Sequence, residues 1–156
     1  MGVIREYDLK THAYAQFGRD LIKRQSVQEF LHQTLTVLIT ISKKDLLNSS
    51  AKNPNPDGIV LTENDSVKAL NRFRTNATDF DLIVTDQTMP VIIGISLAKE
   101  ILRISPTIPV ILFTGYSECV SPEQAREAGI QEYVLKPPDF RKLASSIQRL
   151  AFSASS

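Results

Sequence analysis

The sequence predicts an α/β domain built on a parallel sheet with helices on both sides. Three observations carry this expectation. Short apolar runs recur at strand length and without a polar face, as strands covered on both sides do: IVL (59–61), DLIVT (81–85), VILF (110–113) and QEYVL (131–135). Stretches with apolar residues at helical spacing lie between them. The joints are short and are marked by proline, glycine and helix-capping side chains.

Taken in order, LTVLITI (35–41) has the composition and length of a first strand. The connection SKKDLLNSSAKNPNPD leaves room for one or two helical turns at 43–49, because Pro54 and Pro56 forbid a helix through its end. IVL leads to Asp65-Ser66, either of which can cap a helix whose Val67, Leu70 and Phe73 share a face. DLIVT follows, then a loop from Asp86 to Gly94, then a helix with Leu97, Ala98, Ile101 and Leu102 on one side. Pro106 and Pro109 bracket the turn into VILF. Ser121-Pro122-Glu123-Gln124 has serine at the cap, proline at the first helical position and glutamine three residues on, and Gly129 ends that helix. After QEYVL and Lys136-Pro137-Pro138, Asp139 caps a last helix carrying Phe140, Leu143, Ile147 and Leu150. Upstream, residues 13–33 form an amphipathic helical pattern with Phe17, Leu21 and Ile22 on one side. The chain is therefore divided into an N-terminal extension (1–34), a main domain (35–152) and a tail (153–156).

Composition narrows the function. At 156 residues the chain holds one domain with a real core. A net charge of +1 recruits neither nucleic acid nor an anionic membrane by bulk field. No apolar run is long enough to span a bilayer, and MGVIREYDLK lacks the apolar core of a secretory signal. Glu6 stands where a myristoylation signal has serine or threonine after Gly2. The single cysteine, Cys119, fits a reducing, cytoplasmic setting, and nothing adjacent activates it. His12 and His32 stand in no recognisable phosphotransfer context, and the chain has no glycine-rich phosphate loop.

The chemistry gathers at strand ends. In an open parallel sheet, ligands bind outside the carboxyl ends of the strands. DLIVT ends at Asp86, VILF at Thr114 and QEYVL at Lys136. Each alone reads as a turn aspartate, a surface ion-pair partner or a spectator hydroxyl. Together they bring a carboxylate that can attack phosphorus and an ammonium and hydroxyl that can hold the transferred oxygens.

Residues 57–152 resemble the receiver domain of two-component response regulators, most densely in DFDLIVTDQTMP, VILFTGYSE and YVLKP. The wording of TDQTMP and FTGYSE is most similar to receivers at the C-terminus of hybrid sensor histidine kinases. The resemblance implies a flavodoxin-like (βα)5 sheet in the order 2-1-3-4-5. It implies phosphoryl transfer to Asp86 from a sensor histidine kinase or phosphotransfer protein, with Thr114 and Lys136 contacting the phosphoryl group and Lys136-Pro137 in cis. It further implies Mg²⁺ held by Asp86 and the carbonyl of Thr88, a switch formed by Thr114 and Tyr133, and Gly94 as the end of the active loop.

Two departures qualify it. Where the family follows its first strand with an acidic pair that helps hold Mg²⁺, this sequence has Thr40, Ile41 and Ser42, then Lys43-Lys44. Mg²⁺ prefers carboxylate oxygens, so weak or absent binding is expected. The loop MPVIIG is also unusually apolar, so that some of Val91, Ile92 and Ile93 must be exposed or meet a partner. Three functions follow: a phosphoacceptor receiver with impaired Mg²⁺ binding, a pseudo-receiver kept as an interaction module, and a metal-dependent phosphohydrolase using Asp86. The last needs a second acid near the first, and Gln87 and Thr88 follow Asp86 instead. Direct binding to nucleic acid or membrane is not expected.

Overall fold

The computed structural model describes residues 63–116 and 119–153, together with the backbone of two short strands, Val37–Ile39 and Val60–Thr62. The expected helix over 13–33, the extension 1–34 as a whole, and Thr40, Ile41, Ser42, Lys43 and Lys44 lie outside the described residues, as do His12 and His32. In chain order the elements are β1 (Val37–Ile39), β2 (Val60–Thr62), α1 (Ser66–Thr75), a 3-10 turn (Ala77–Asp79), β3 (Ile83–Asp86), α2 (Gly94–Ile104), β4 (Val110–Thr114), α3 (Pro122–Glu127), β5 (Glu132–Leu135) and α4 (Phe140–Ser153).

β3, β4 and β5 form a parallel ladder with Asp86 opposite Phe113 and Thr114 opposite Leu135. β1 pairs with β2 in a separate two-stranded ladder and lies beside β3, so that in space the strands are arranged β2-β1-β3-β4-β5. One feature departs from the parallel expectation: β1 and β2 pair antiparallel, with Leu38 opposite Leu61. A parallel pair needs a crossover, usually helical, whereas an antiparallel pair closes through any loop. Pro54 and Pro56, in the connection between these strands, remove backbone donors and oppose the helix a crossover uses.

Both faces of the parallel ladder are covered. Ile83, Val110 and Leu112 share one buried cluster with Ala69, Leu70 and Phe73 of α1 and Leu97, Ala98 and Ile101 of α2. Leu82, Val84, Ile111 and Phe113 point to the opposite face by the two-residue alternation of a strand and are fully buried as well. Leu143, Ile147, Leu150 and Ala151 give α4 its buried stripe, and Arg149 ties that helix to Glu132 of β5 at 2.6 Å.

The helix ends follow their local chemistry. Asp65 caps α1, its Oδ1 accepting from the N–H groups of Val67 (2.8 Å) and Lys68 (3.0 Å). At α3, Ser121 and Gln124 exchange side chain-to-backbone hydrogen bonds in a complete capping box, with Pro122 at the first position. Gly129 follows with φ +87°, in the left-handed region that favours glycine. Asp139 Oδ1 accepts from the N–H of Arg141 at 2.9 Å at the start of α4.

α2 approaches β3 closely at Gly94. A Cβ there would meet the carbonyl oxygen of Asp86 and would stand 2.7 Å from Leu112 Cδ1. The carbonyl belongs to the strand and cannot withdraw without disturbing the ladder. Gly94→Ala is therefore expected to destabilise by about 1–3 kcal/mol, opposite in sign to the ordinary helix preference for alanine. The urea midpoint of the variant against the parent measures this.

Candidate functional site

Asp86 is the last residue of β3 and is fully buried. A buried carboxylate needs partners, and two are present. Lys136 Nζ forms an ion pair with Asp86 Oδ2. The N–H of Thr88 donates to Oδ1 at 3.1 Å. Lys136 is the residue after β5, and its own N–H donates to the carbonyl of Thr114 at 2.9 Å. The ammonium thus crosses the end of β4 to reach β3. Its side chain is 30% exposed while that of Asp86 is 0% exposed, so the cation reaches solvent and the carboxylate does not.

Thr114 ends β4 between the two members of the pair and is fully buried. Its hydroxyl donates to the carbonyl of Gly115 at 3.3 Å. The structure therefore brings the ends of β3, β4 and β5 together at one edge of the sheet. Tyr133 stands apart from the ion pair: its ring packs against the α1–α2 cluster, and its hydroxyl donates to the carbonyl of Val120 in the β4–α3 connection at 2.9 Å. The Lys136-Pro137 peptide is cis.

The loop from Gln87 to Ile93 is drawn into a closed shape by Gln87, a residue to which the sequence reading gave no role. Its N–H donates to Phe113 O at 2.7 Å, its carbonyl accepts from Gly94 N–H at 3.1 Å, and its buried amide oxygen accepts from Ile95 N–H at 3.0 Å. A glutamine after a strand carries no local signal for this, because both α2 partners lie across the loop. Of the apolar residues in MPVIIG, Val91 is 86% exposed and Ile93 is 45% exposed, whereas Ile92 is half-buried against the core. Cys119 is exposed. Among the described residues, no three acidic, histidine or cysteine side chains cluster as a metal site, and no helix is long and apolar enough to cross a membrane.

The sequence model of the response regulator receiver domain matches residues 45–148, more than half of the chain. The chain belongs to that family. The receiver match begins after β1 and ends within α4. Among curated relatives, the transcriptional regulatory protein ZraR of Klebsiella oxytoca is 37% identical over 84 residues, 54% of this chain and 18% of the relative. ZraR of Escherichia coli K12 is 33% identical over 90 residues, 58% of this chain and 20% of the relative. The chain therefore spans about a fifth of the length of these relatives. Among solved structures, a response regulator receiver domain protein from Clostridium thermocellum has a TM-score of 0.55 at 31% identity, covering 58% of this chain and 72% of that one. The receiver domain of the Francisella response regulator 1452 gives 0.52 at 30% identity, covering 60% and 75%. The flavodoxin-like α/β fold and a place in two-component signalling follow from this membership. Receivers of response regulators take phosphoryl groups from histidine kinases.

The ion pair can be tested for its structural weight. Removing one partner of a fully buried pair costs about 3–5 kcal/mol, and the partial exposure of Lys136 lowers that figure. Lys136→Met is expected to destabilise the domain by about 1–3 kcal/mol in urea unfolding. In an Asp86→Asn background the same substitution should cost less than half as much. Equal costs in both backgrounds would show that the pair contributes no coupling.

Proposed function

We propose that this receiver is a phosphoacceptor module in which Asp86 takes a phosphoryl group from a histidine kinase or phosphotransfer protein, with weakened help from Mg²⁺. The observation that carries the reading is the Asp86–Lys136 pair at the carboxyl edge of the sheet, with Thr114 between its two strands. An oxygen of Asp86 attacks phosphorus, the P–N bond of the phosphohistidine breaks, and the electron pair stays with the departing imidazole. Lys136 keeps its place but exchanges a carboxylate oxygen for a phosphoryl oxygen, so its charge faces the group as negative charge spreads over it. The Thr114 hydroxyl rotates from Gly115 O toward a second phosphoryl oxygen. That rotation opens space at the end of β4, which Tyr133 can follow once its hydroxyl leaves Val120 O.

Two observations support weak metal binding. Both oxygens of Asp86 are engaged, one by Lys136 and one by Thr88 N–H. Residues 34–44, TLTVLITISKK, contain no carboxylate. A hard divalent ion would find one shared carboxylate and neutral oxygens such as the Thr88 carbonyl, a poor donor set for Mg²⁺. The same observations favour a second reading, a pseudo-receiver in which the fold serves binding alone and Asp86 stays unmodified. The receiver domain is assigned to 35–152, following the extension 1–34.

The test is acetyl phosphate treatment of the full chain followed by intact mass, with calorimetric Mg²⁺ titration in parallel. Wild type should gain one phosphoryl group slowly, and Asp86→Asn should gain none. Paired aspartates at Thr40 and Ile41, or at Ile41 and Ser42, should tighten Mg²⁺ binding on the order of 30- to 150-fold and speed labelling. If neither wild type nor either double variant is labelled at Asp86, the phosphoacceptor reading fails and the pseudo-receiver stands.

A further inference from the structure

The loop that follows Asp86 contains a strained turn. Ile92 N–H donates to the carbonyl of Pro90 at 2.9 Å, and Val91 between them has φ +70°. This is a γ-turn of the left-handed kind, the rarer and more strained of the two forms. Its central residue is β-branched, the type that left-handed backbone suits least. Val91 is 86% exposed, so its own packing does not hold the turn. Such strain persists only where the surroundings impose it.

The restraint comes from α1. Ser66 is 1% exposed, and its hydroxyl donates to Pro90 O at 2.9 Å. Ser66 Oγ itself accepts from Ile92 N–H at 3.2 Å. One hydroxyl thus bridges the donor and the acceptor that define the turn. Ser66 is free for this because Asp65 already caps α1.

We propose that Ser66 is a positioning residue for Asp86: by locking the turn at Val91, it keeps the Thr88 N–H on Asp86 Oδ1. The segment is a closed ring, fixed at one side by Asp86 in β3 and at the other by the Gly94 N–H to Gln87 O bond. If Val91 relaxes to negative φ, a rotation of more than about 100° must be absorbed inside that ring. Met89 and Gln87 are buried, Ile92 is packed on the core, and Thr88 is exposed. The displacement therefore falls on the exposed residues of the ring, Thr88, Pro90 and Ile93, of which Thr88 holds one carboxylate oxygen while Lys136 holds the other. Ser66, far from the reacting atoms in sequence, fixes which way the Asp86 carboxylate is turned. The catalytic meaning of this rests on Asp86 being the phosphoacceptor; the mechanical coupling does not.

The experiment is a double-mutant cycle on the full chain with Ser66→Ala and Val91→Gly, read by urea unfolding and by the ¹⁵N–¹H resonance of Thr88. Ser66→Ala is expected to lower the folding equilibrium constant about tenfold, to shift the Thr88 amide upfield and to speed its exchange with solvent. In the Val91→Gly background, where glycine adopts the turn unaided, the loss should fall below about threefold, and the Thr88 amide should stay at its parental position. A cost that is the same in both backgrounds, or a Thr88 amide that ignores Ser66→Ala, overturns the proposal. If Ser66→Ala does not fold, Ser66→Cys, similar in size but a weak donor, takes its place in the cycle. Acetyl phosphate labelling then separates the two readings. Equal labelling of wild type and Ser66→Ala overturns the positioning role and leaves the acceptor intact. Absence of labelling in wild type removes the acceptor reading, and the cycle and the amide alone decide the coupling.

Discussion

The Asp86–Lys136 ion pair is the constraint around which the described part of the domain is arranged. The two residues are fifty apart in sequence and belong to the ends of the outer strands of the three-stranded ladder. They meet only if β3, β4 and β5 stop at the same edge of the sheet. The ladder supplies that register, with Asp86 opposite Phe113 and Thr114 opposite Leu135. A fully buried carboxylate with no cation would be among the most costly groups in the core. The pair and the sheet therefore sustain each other: the register delivers the ammonium, and the ammonium makes the buried acid tolerable.

Around that pair, fixed and strained elements are set side by side. Gly94 lets α2 approach the Asp86 carbonyl more closely than any Cβ would permit. Gln87 fastens the loop to α2 through its carbonyl and its side chain. Between these anchors the chain passes through a left-handed valine that is stable only because a serine from another helix holds the backbone on either side. Strain confined between rigid anchors allows a loop two discrete arrangements rather than a gradual drift. Val91 and Ile93 are the exposed apolar residues of this loop.

The sequence foretold the parts of this domain that depend on local chemistry. The strands at 83–86 and 110–114 are legible because burial on both faces demands unbroken apolar runs. The start of α3 is legible because its serine, proline and glutamine bond to their own neighbours. The convergence of Asp86, Thr114 and Lys136 is legible because each stands where an apolar strand run ends. What remains hidden is tertiary. Asp65 and Ser66 are equal candidates to cap α1, and only the fold, by bringing Pro90 to the helix, assigns Asp65 to the cap and Ser66 to the loop. The positive φ of Val91 contradicts its residue type and has no signature in MPVIIG. The antiparallel pairing of β1 with β2 is hinted at only by the prolines of their connection, since an apolar run does not encode strand direction.

The screening of Asp86 by Lys136 bears on how an anionic partner finds the site. A carboxylate and an ammonium in contact present no net charge, and the field of such a dipole falls away faster than that of a lone ion. At physiological salt, what remains is screened within about 8 Å. The pair gives no electrostatic guidance to a phosphorylated partner at a distance, so its contribution to the encounter rate is nearly independent of ionic strength. On the proposed phosphoacceptor reading, recognition begins with surface shape rather than with charge. On the same reading, the charge of the aspartate becomes available only after contact, when the lysine has another oxygen to hold.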